Sequence, residues 1–306
     1  MVRFIIRRLL ITIPTILVVI TLTWGLIRLA PGNFYTGERK IPKEIEANIR
    51  SKYGLDKPWY VQYAKTMSHI VRLDFGESLK YQHQSVNAII LRSLPISAAV
   101  GILAYLLALV AGVAIGSIAA LKQNSAWDYA SMALAMLGIS IPNFVLGPLL
   151  VLIFSLTLYW LPPARWNGLL SKSVILPVLT LSGIYLAYIA RLTRAGMLEV
   201  LRSDYIRTAR AKGLRERDVV IRHALRGGLM PIVSFTGPAL AFLLTGTVVV
   251  ERIFALPGLG NYLIQASLNR DEPLILGIVS FIAITLLLMN LLVDIAYGFL
   301  DPRIRY

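Results

Sequence analysis

Residues 198–231 read LEVLRSDYIRTARAKGLRERDVVIRHALRGGLMP, the one long polar stretch in the second half of an otherwise apolar chain. Arg202, Arg207, Arg210, Lys212, Arg215, Arg217, Arg222 and Arg226 stand against Glu199, Asp204, Glu216 and Asp218. Apolar residues recur through it at helical spacing: Leu198, Leu201, Tyr205 and Ala209, then Leu214, Val219, Val220 and Leu225. Ser203 stands where an N-cap belongs, with Ile206 and Thr208 just after it, and Gly213 breaks the pattern before it resumes. The spacing predicts two short amphipathic helices hinged at Gly213 and hung between two membrane spans.

The surroundings fix the class. The chain of 306 residues is 57% hydrophobic and 15% charged, with a mean hydropathy of +0.68. A soluble domain carries about 25% charged residues. Several apolar runs reach ~20 residues, the length of helix that crosses a bilayer core. The fold class is an all-α polytopic membrane protein. A net charge of +15 would point to nucleic acid in a soluble protein, but here basic residues held at a cytoplasmic face account for much of it, and no nucleic-acid partner is expected. The absence of cysteine excludes disulfides and thiolate metal sites.

Six spans follow in order. Residues 9–27 carry no charge and follow Arg3, Arg7 and Arg8, which place the N-terminus inside. The run is too long for a signal peptide, and no small-x-small cleavage site follows it. Residues 30–93 form a polar external domain punctuated by turn signals, with a helical stripe at Trp59, Tyr63, Met67, Ile70 and Val71 that packs on the membrane surface or the protein body. The second span, residues 94–121, carries small residues four apart: Ala104, Ala108, Gly112, Gly116 and Ala120. In lipid, such ladders bring helix backbones together, so this span is expected to be central. After a short cytoplasmic turn at 122–128, residues 129–161 are too long for one straight span, and the sequence predicts a single helix kinked at Pro142. Pro142 and Asn143 either line a path or mark a packing kink. Spans are expected at 174–192, 231–250 and 274–299, the fifth again with small residues at Gly237, Ala241 and Thr245. Residues 251–260 read as an external turn, and Asp294 lies near enough to a span end to reach water. This count leaves residues 198–231 in the cytoplasm, as their charge independently requires.

The run Ala209-Arg-Ala-Lys-Gly213, followed by His223-Ala-Leu-Arg226 and Leu229-Met-Pro231, resembles the cytoplasmic coupling loop of ABC importer permeases. It is most similar to the B-type permease subunits of oligopeptide and dipeptide importers. The general form of that loop opens with Glu-Ala-Ala, where this chain has Arg207-Thr208-Ala209, so only the last alanine and Gly213 match. That departure, and the long interval from Gly213 to Pro231, are typical of the peptide branch. The resemblance continues in Leu29-Ala-Pro-Gly32, Tyr53-Gly-Leu-Asp-Lys-Pro58, Gln62-Tyr63, Asp74-Phe-Gly-Glu-Ser78, Glu251 to Gly260 and the tail Leu300 to Tyr306. It implies a type I permease fold with a core at 95–299, a coupling loop at 195–230, and residues 1–94 as a first span plus periplasmic domain, with a cytoplasmic tail at 300–306.

The resemblance further implies an inner-membrane protein with both termini cytoplasmic that imports oligopeptides. Its partners would be a second homologous permease, two cytoplasmic ATPase subunits that carry ATP and Mg, a periplasmic or lipid-tethered peptide-binding protein, and membrane lipid. The coupling residues carried over are Tyr205, Ala209, Arg210, Lys212, Gly213, Leu214, Val219 and His223, with Leu214, Val219 and Tyr205 as apolar contacts to the ATPase. Dipeptides, nickel complexes and glutathione are alternative cargoes within the family. The sequence has no GxxxxGK[ST], GxSxG, HExxH or CxxC, so no catalytic, metal or cofactor site of its own is expected. The rival class, an ion-coupled secondary transporter, usually places ionisable residues at membrane depth and repeats its own halves, and neither pattern is visible here.

Overall fold

The computed structural model describes residues 2–29, 51, 54, 56–81, 83–244 and 247–300. Expectations that fall on residues 30–50, on Thr245, on the Asp294 side chain and on the tail at 301–306 lie outside these. The helices are α1 (Val2–Leu29), α2 (Trp59–Val71), α3 (Val86–Leu121), α4 (Ala126–Ser140) and α5 (Asn143–Leu150), which runs on as a π-helix to Thr157. After them come α6 (Ile175–Leu201), α7 (Asp204–Ala211) and α8, which is built from Glu216–Asp218, a π turn at Val219–Ala224, and Leu225–Gly228. Then follow α9 (Met230–Leu244), α10 (Val248–Ile253), α11 (Leu259–Asn269) and α12 (Glu272–Leu300). Among the described residues four helical segments are long and apolar enough to cross a membrane: Leu10–Leu29, Val86–Leu121, Lys172–Leu201 and Glu272–Val293.

α3 and α6 run parallel, Gly112 meeting Ile189 and Ala120 meeting Met197, and form the axis of the fold. Ala104, Ala108, Gly112, Gly116 and Ala120 are all buried on one side of α3. A Cβ on Gly112 would stand 2.9 Å from Cβ of Ile189, and one on Gly116 would meet the Ala190 carbonyl and lie 2.6 Å from Cβ of Thr193. The other side of α3 exposes Leu106 and Val110. α4 crosses α6 in the same manner, with Gly138 against the backbone of Gly183. One ionic staple reinforces this crossing. The Arg194 guanidinium donates from Nε and Nη2 to the two Asp128 carboxylate oxygens, each at 2.7 Å. Asp128 also accepts from the Asn124 amide at 3.0 Å, and its side chain is only 3% exposed.

Three expected spans are corrected. The second begins at Val86 rather than 94: the Ser85 side chain caps it by accepting the Ala88 amide, and Pro95 sits inside an unbroken helix. The third is not one kinked helix. α4 and α5 meet at 103°. Pro142 has no N–H to continue the ladder and drives Ile141 to an extended backbone (φ −100°, ψ 114°), so α4 stops there and α5 starts in a new direction. The fifth, expected at 231–250, is described as α9 over 15 residues, about 22 Å of helix, and does not continue to 250. Thr247 is extended and starts the separate α10.

The turn expected at 251–260 is a built corner that leads into α11. Glu251 is 3% exposed. Its carboxylate accepts the Ser97 hydroxyl at 2.7 Å and the Asn261 amide at 3.0 Å, while Ser97 Oγ accepts the Leu259 amide at 2.9 Å. Asp271, fully buried, does similar work at the other end of α11. It accepts from the Leu79 and Lys80 amides, from the Ser78 hydroxyl, and from Leu274 in the first turn of α12. Between these two acids Leu259 and Ala266 pack on Val86, Ile89, Ile90, Leu274 and Ile278.

Two outcomes are expected. Gly116→Val forces α3 and α6 apart and lowers the unfolding midpoint of the detergent-solubilised chain, whereas Gly25→Ala, with nothing within 4 Å of its new Cβ, does not. Asp128→Asn leaves Arg194 half-satisfied and destabilises by about 1.5–3 kcal/mol, and a thermal or denaturant titration reads the loss.

Candidate functional site

The polar stretch singled out in the sequence lies at the Leu121 end of α3, and α6 runs into it as far as Leu201. α7 has eight residues, too short to hold as an isolated helix. Its Ser203 occupies the N-cap position, but the hydroxyl turns back to the Val200 carbonyl at 2.6 Å. Asp204 in the first turn supplies the negative charge that suits a helix start. What holds α7 is its inner face. Ile206 and Ala209 are buried in one cluster with Ala120 of α3, Met197 of α6, and Val219 and Ala224 of α8.

Gly213 makes the turn. Its φ is +76°, in the left-handed region that favours glycine. The Gly213 amide donates to the Arg210 carbonyl at 2.9 Å, and across the same turn the Arg210 guanidinium forks onto Glu216 at 2.6 and 3.2 Å. Hydrogen bonding from Arg210 holds the Glu216 carboxyl below its ordinary value. The pair is exposed, so it orients the turn more than it stabilises it. α8 then closes back. Gly228 packs against the backbone of Gly196, and the Tyr205 hydroxyl lies 2.9 Å from where a Cβ on Gly227 would sit.

The expected coupling residues therefore share one small substructure but divide between its faces. Tyr205, Arg210, Lys212, Gly213 and Leu214 are exposed, and His223 is half-buried. Ala209 and Val219 face inward, and Val219 is fully buried. The expectation that Val219 meets a partner is thus overturned, and Ile221, 54% exposed, takes its place on the open surface. The reason is the π turn at 219–224, whose wider winding brings Val219 and Ala224, five residues apart, onto one inward face. A 3.6-residue period cannot register that. Leu121, Lys122, Glu216, Arg217, Val220 and Ile221 line a shallow groove of about 520 Å³ beside the tip. Pro142 and Asn143 lie at the far end of α4 and do not join this site. Pro142 is exposed at the start of α5, and Asn143 Oδ1 is enclosed without a hydrogen-bond partner. Sequence reasoning gave Asp128, Ile206 and Glu251 no role in holding the fold together. An acid beside an apolar run was the available signal for Asp128 and Glu251, while Ile206 carried none beyond its type.

Comparison with known proteins gives this geometry a family. Residues 112–306 match the "Binding-protein-dependent transport system inner membrane component" family, and residues 1–101 match its N-terminal counterpart. The chain is 48% identical over 306 residues to the oligopeptide transport system permease protein OppB of Escherichia coli (strain K12), with 100% of both chains covered. It is 43% identical over 305 residues to the dipeptide transport system permease protein DppB of Bacillus subtilis (strain 168), covering 100% of this chain and 98% of that one. Among solved structures, the crystal structure of an amino acid ABC transporter with histidines superposes with a TM-score of 0.50 at 16% identity, over 71% of this chain and 95% of that one, a likeness of fold. An all-α chain with several membrane-length helices, matched along its length in this way, belongs to the binding-protein-dependent transport system inner-membrane component family, the multi-pass permease subunits of ABC importers.

Proposed function

We propose that this chain is the permease subunit of an ATP-driven importer of oligopeptides, and that α7, the Gly213 turn and α8 form the lever on which an ATPase subunit acts. The observation that carries this reading is the two-sidedness of the substructure. Its inner face is locked to α3 and α6 by Met197, Ile206, Ala209, Val219 and Ala224, while its tip offers Tyr205, Leu214 and Ile221 among cations. A helical surface with apolar anchors in a basic rim suits a groove with acidic edges. Since α8 leads through Leu229 directly into α9, and α6 leads through Arg202 and Ser203 into α7, a push on the tip reaches both helices.

In this reading the Leu121 end faces the cytoplasm, as Lys122, Arg191, Arg194 and the basic tip favour, and both termini lie on that side. A second, homologous permease completes the path. ATP and Mg sit on the two ATPase subunits; this chain binds neither and catalyses no reaction. A periplasmic or lipid-tethered binding protein delivers the cargo. The names of the OppB and DppB relatives support peptides as that cargo, and residues 1–94 supply the first span and external domain.

Uptake of a labelled oligopeptide into membrane vesicles is expected to require ATP; uptake without nucleotide that collapses with the proton gradient would overturn the reading. Leu214→Glu with Ile221→Glu is expected to reduce co-purification of the ATPase while leaving the thermal midpoint unchanged, because both side chains are exposed. Gly213→Val places a β-branched residue at φ +76°, a strain of about 1–3 kcal/mol, and is expected to lower uptake. Gly213→Asn, which tolerates that region, is expected to keep most of it.

A further inference from the structure

At the Val86 end, α1, α2 and the start of α12 enclose a cavity of about 360 Å³, within the ~300–1,000 Å³ range of small-molecule sites. Trp24, Arg28, Lys57, Lys65, Glu77 and Glu272 are among its lining residues. We propose that this cavity is a phospholipid headgroup site, which takes the phosphate of an ethanolamine lipid at Arg28 and its ammonium at Glu272.

The depth of the cavity is set by α2. Tyr63 shares a hydrogen bond of 2.7 Å with Thr21 and stacks edge-on against Trp24, with ring centroids 5.3 Å apart. Both partners lie inside the apolar run Leu10–Leu29. The helix therefore lies beside the last turns of a membrane span, at the level of the headgroups. Its free surface has the chemistry of that level. Trp59 and Tyr60 are 68% and 59% exposed at its start, and Lys57, Lys65 and Arg72 are exposed along it. Aromatic rings with a polar edge and long basic side chains favour the membrane interface.

The charges inside are unevenly satisfied. Asp74 is engaged: its carboxylate meets His69 Nδ1 at 3.0 Å and the Gly76 amide at 3.1 Å, and hydrogen bonding from that amide and from His69 holds its carboxyl below the ordinary range. Arg28 is not. Its guanidinium stacks on Trp24 at 4.7 Å and stands 3.7 Å from Glu272, too far for a hydrogen bond, and its enclosed Nε has no hydrogen-bond partner. Lys57 and Lys65 are in no ion pair among the described residues. A buried donor without an acceptor is costly, and a phosphate oxygen would relieve it. Glu272, a few ångströms away, suits an ammonium that carries its own N–H groups. A soluble zwitterion has the same two charges; the surface beside the cavity favours lipid. Leu22, Leu26 and Leu29 form a ridge along α1, 60%, 66% and 81% exposed, on which an acyl chain can lie.

The test uses the full-length chain purified in a mild detergent and native mass spectrometry with added palmitoyl-oleoyl phosphatidylethanolamine. Loss of one charge-assisted hydrogen bond to a phosphate corresponds to about a tenfold loss in binding. Arg28→Gln and Lys65→Gln are each expected to lower retained lipid by about that factor, with Arg28→Lys losing less and Lys172→Gln, outside the cavity, losing nothing. Glu272→Gln is expected to erase a preference for the ethanolamine lipid over its choline analogue while leaving choline-lipid retention as it was. Unchanged retention in both Arg28→Gln and Lys65→Gln would overturn the site. So would displacement of the lipid by equimolar glycerophosphoethanolamine, which would assign the cavity to a soluble ligand.

Discussion

The contact between α3 and α6 is the constraint on which the other contacts rest. Between helices in lipid there is little hydrophobic drive, because the tails are as apolar as the side chains, and association depends on how near two backbones come. Gly112 and Gly116 let α6 approach until no Cβ fits, and Ile189, Ala190 and Thr193 fill that space instead. Thr193 is fully buried there, and its hydroxyl donates to the Ile189 carbonyl at 2.7 Å, so the close approach does not strand it. The crossing of α4 at Gly138 and Gly183 repeats the device and places Asp128 within reach of Arg194.

The two ends of this axis are finished differently. At the Leu121 end the closing contacts are apolar: Ala120, Met197, Ile206, Val219 and Ala224 share one core, and charge is kept to the tip. At the Val86 end two buried acids close it, Glu251 of α10 bonded to the first turn of α11 and Asp271 just past its end, each surrounded by hydroxyl and backbone donors. Buried carboxylates are tolerable where several hydrogen bonds converge on them. The difference matters for motion. An apolar core lets α7 and α8 move as a body with α3 and α6, while directed hydrogen bonds hold α11 in one register against α3.

Much of this was legible from residue types. The helical class, the small-residue ladder, the hinge at Gly213 and the polar segment all follow from spacing, because each depends on what one helix face carries. Where a single residue dominates its own backbone, as Gly213 does with φ +76°, the reading is equally direct. The misses share a cause. Nothing in 129–161 distinguishes a kink from a break of 103°, since the angle depends on what α5 packs against: Val100, Leu176, Phe254 and Leu256. Likewise, an amphipathic period identifies which residues of 216–228 are apolar, but a π turn re-aims them, and Val219 went inward.

By itself the sequence determined that the chain crosses a membrane as helices, that one span presses its small face on a neighbour, and that a charged elbow turns at Gly213. These depend on local steric and solvation rules: which side chains tolerate lipid, which backbone admits a positive φ, which surface permits close approach. Only the tertiary structure decided where the helices break, which side of the elbow is buried, and that Asp128 meets Arg194, Ser97 meets Glu251 and Ser78 meets Asp271. Those pairs lie far apart along the chain, and a hydroxyl or carboxylate has no periodicity that announces its partner; only packing brings the two together.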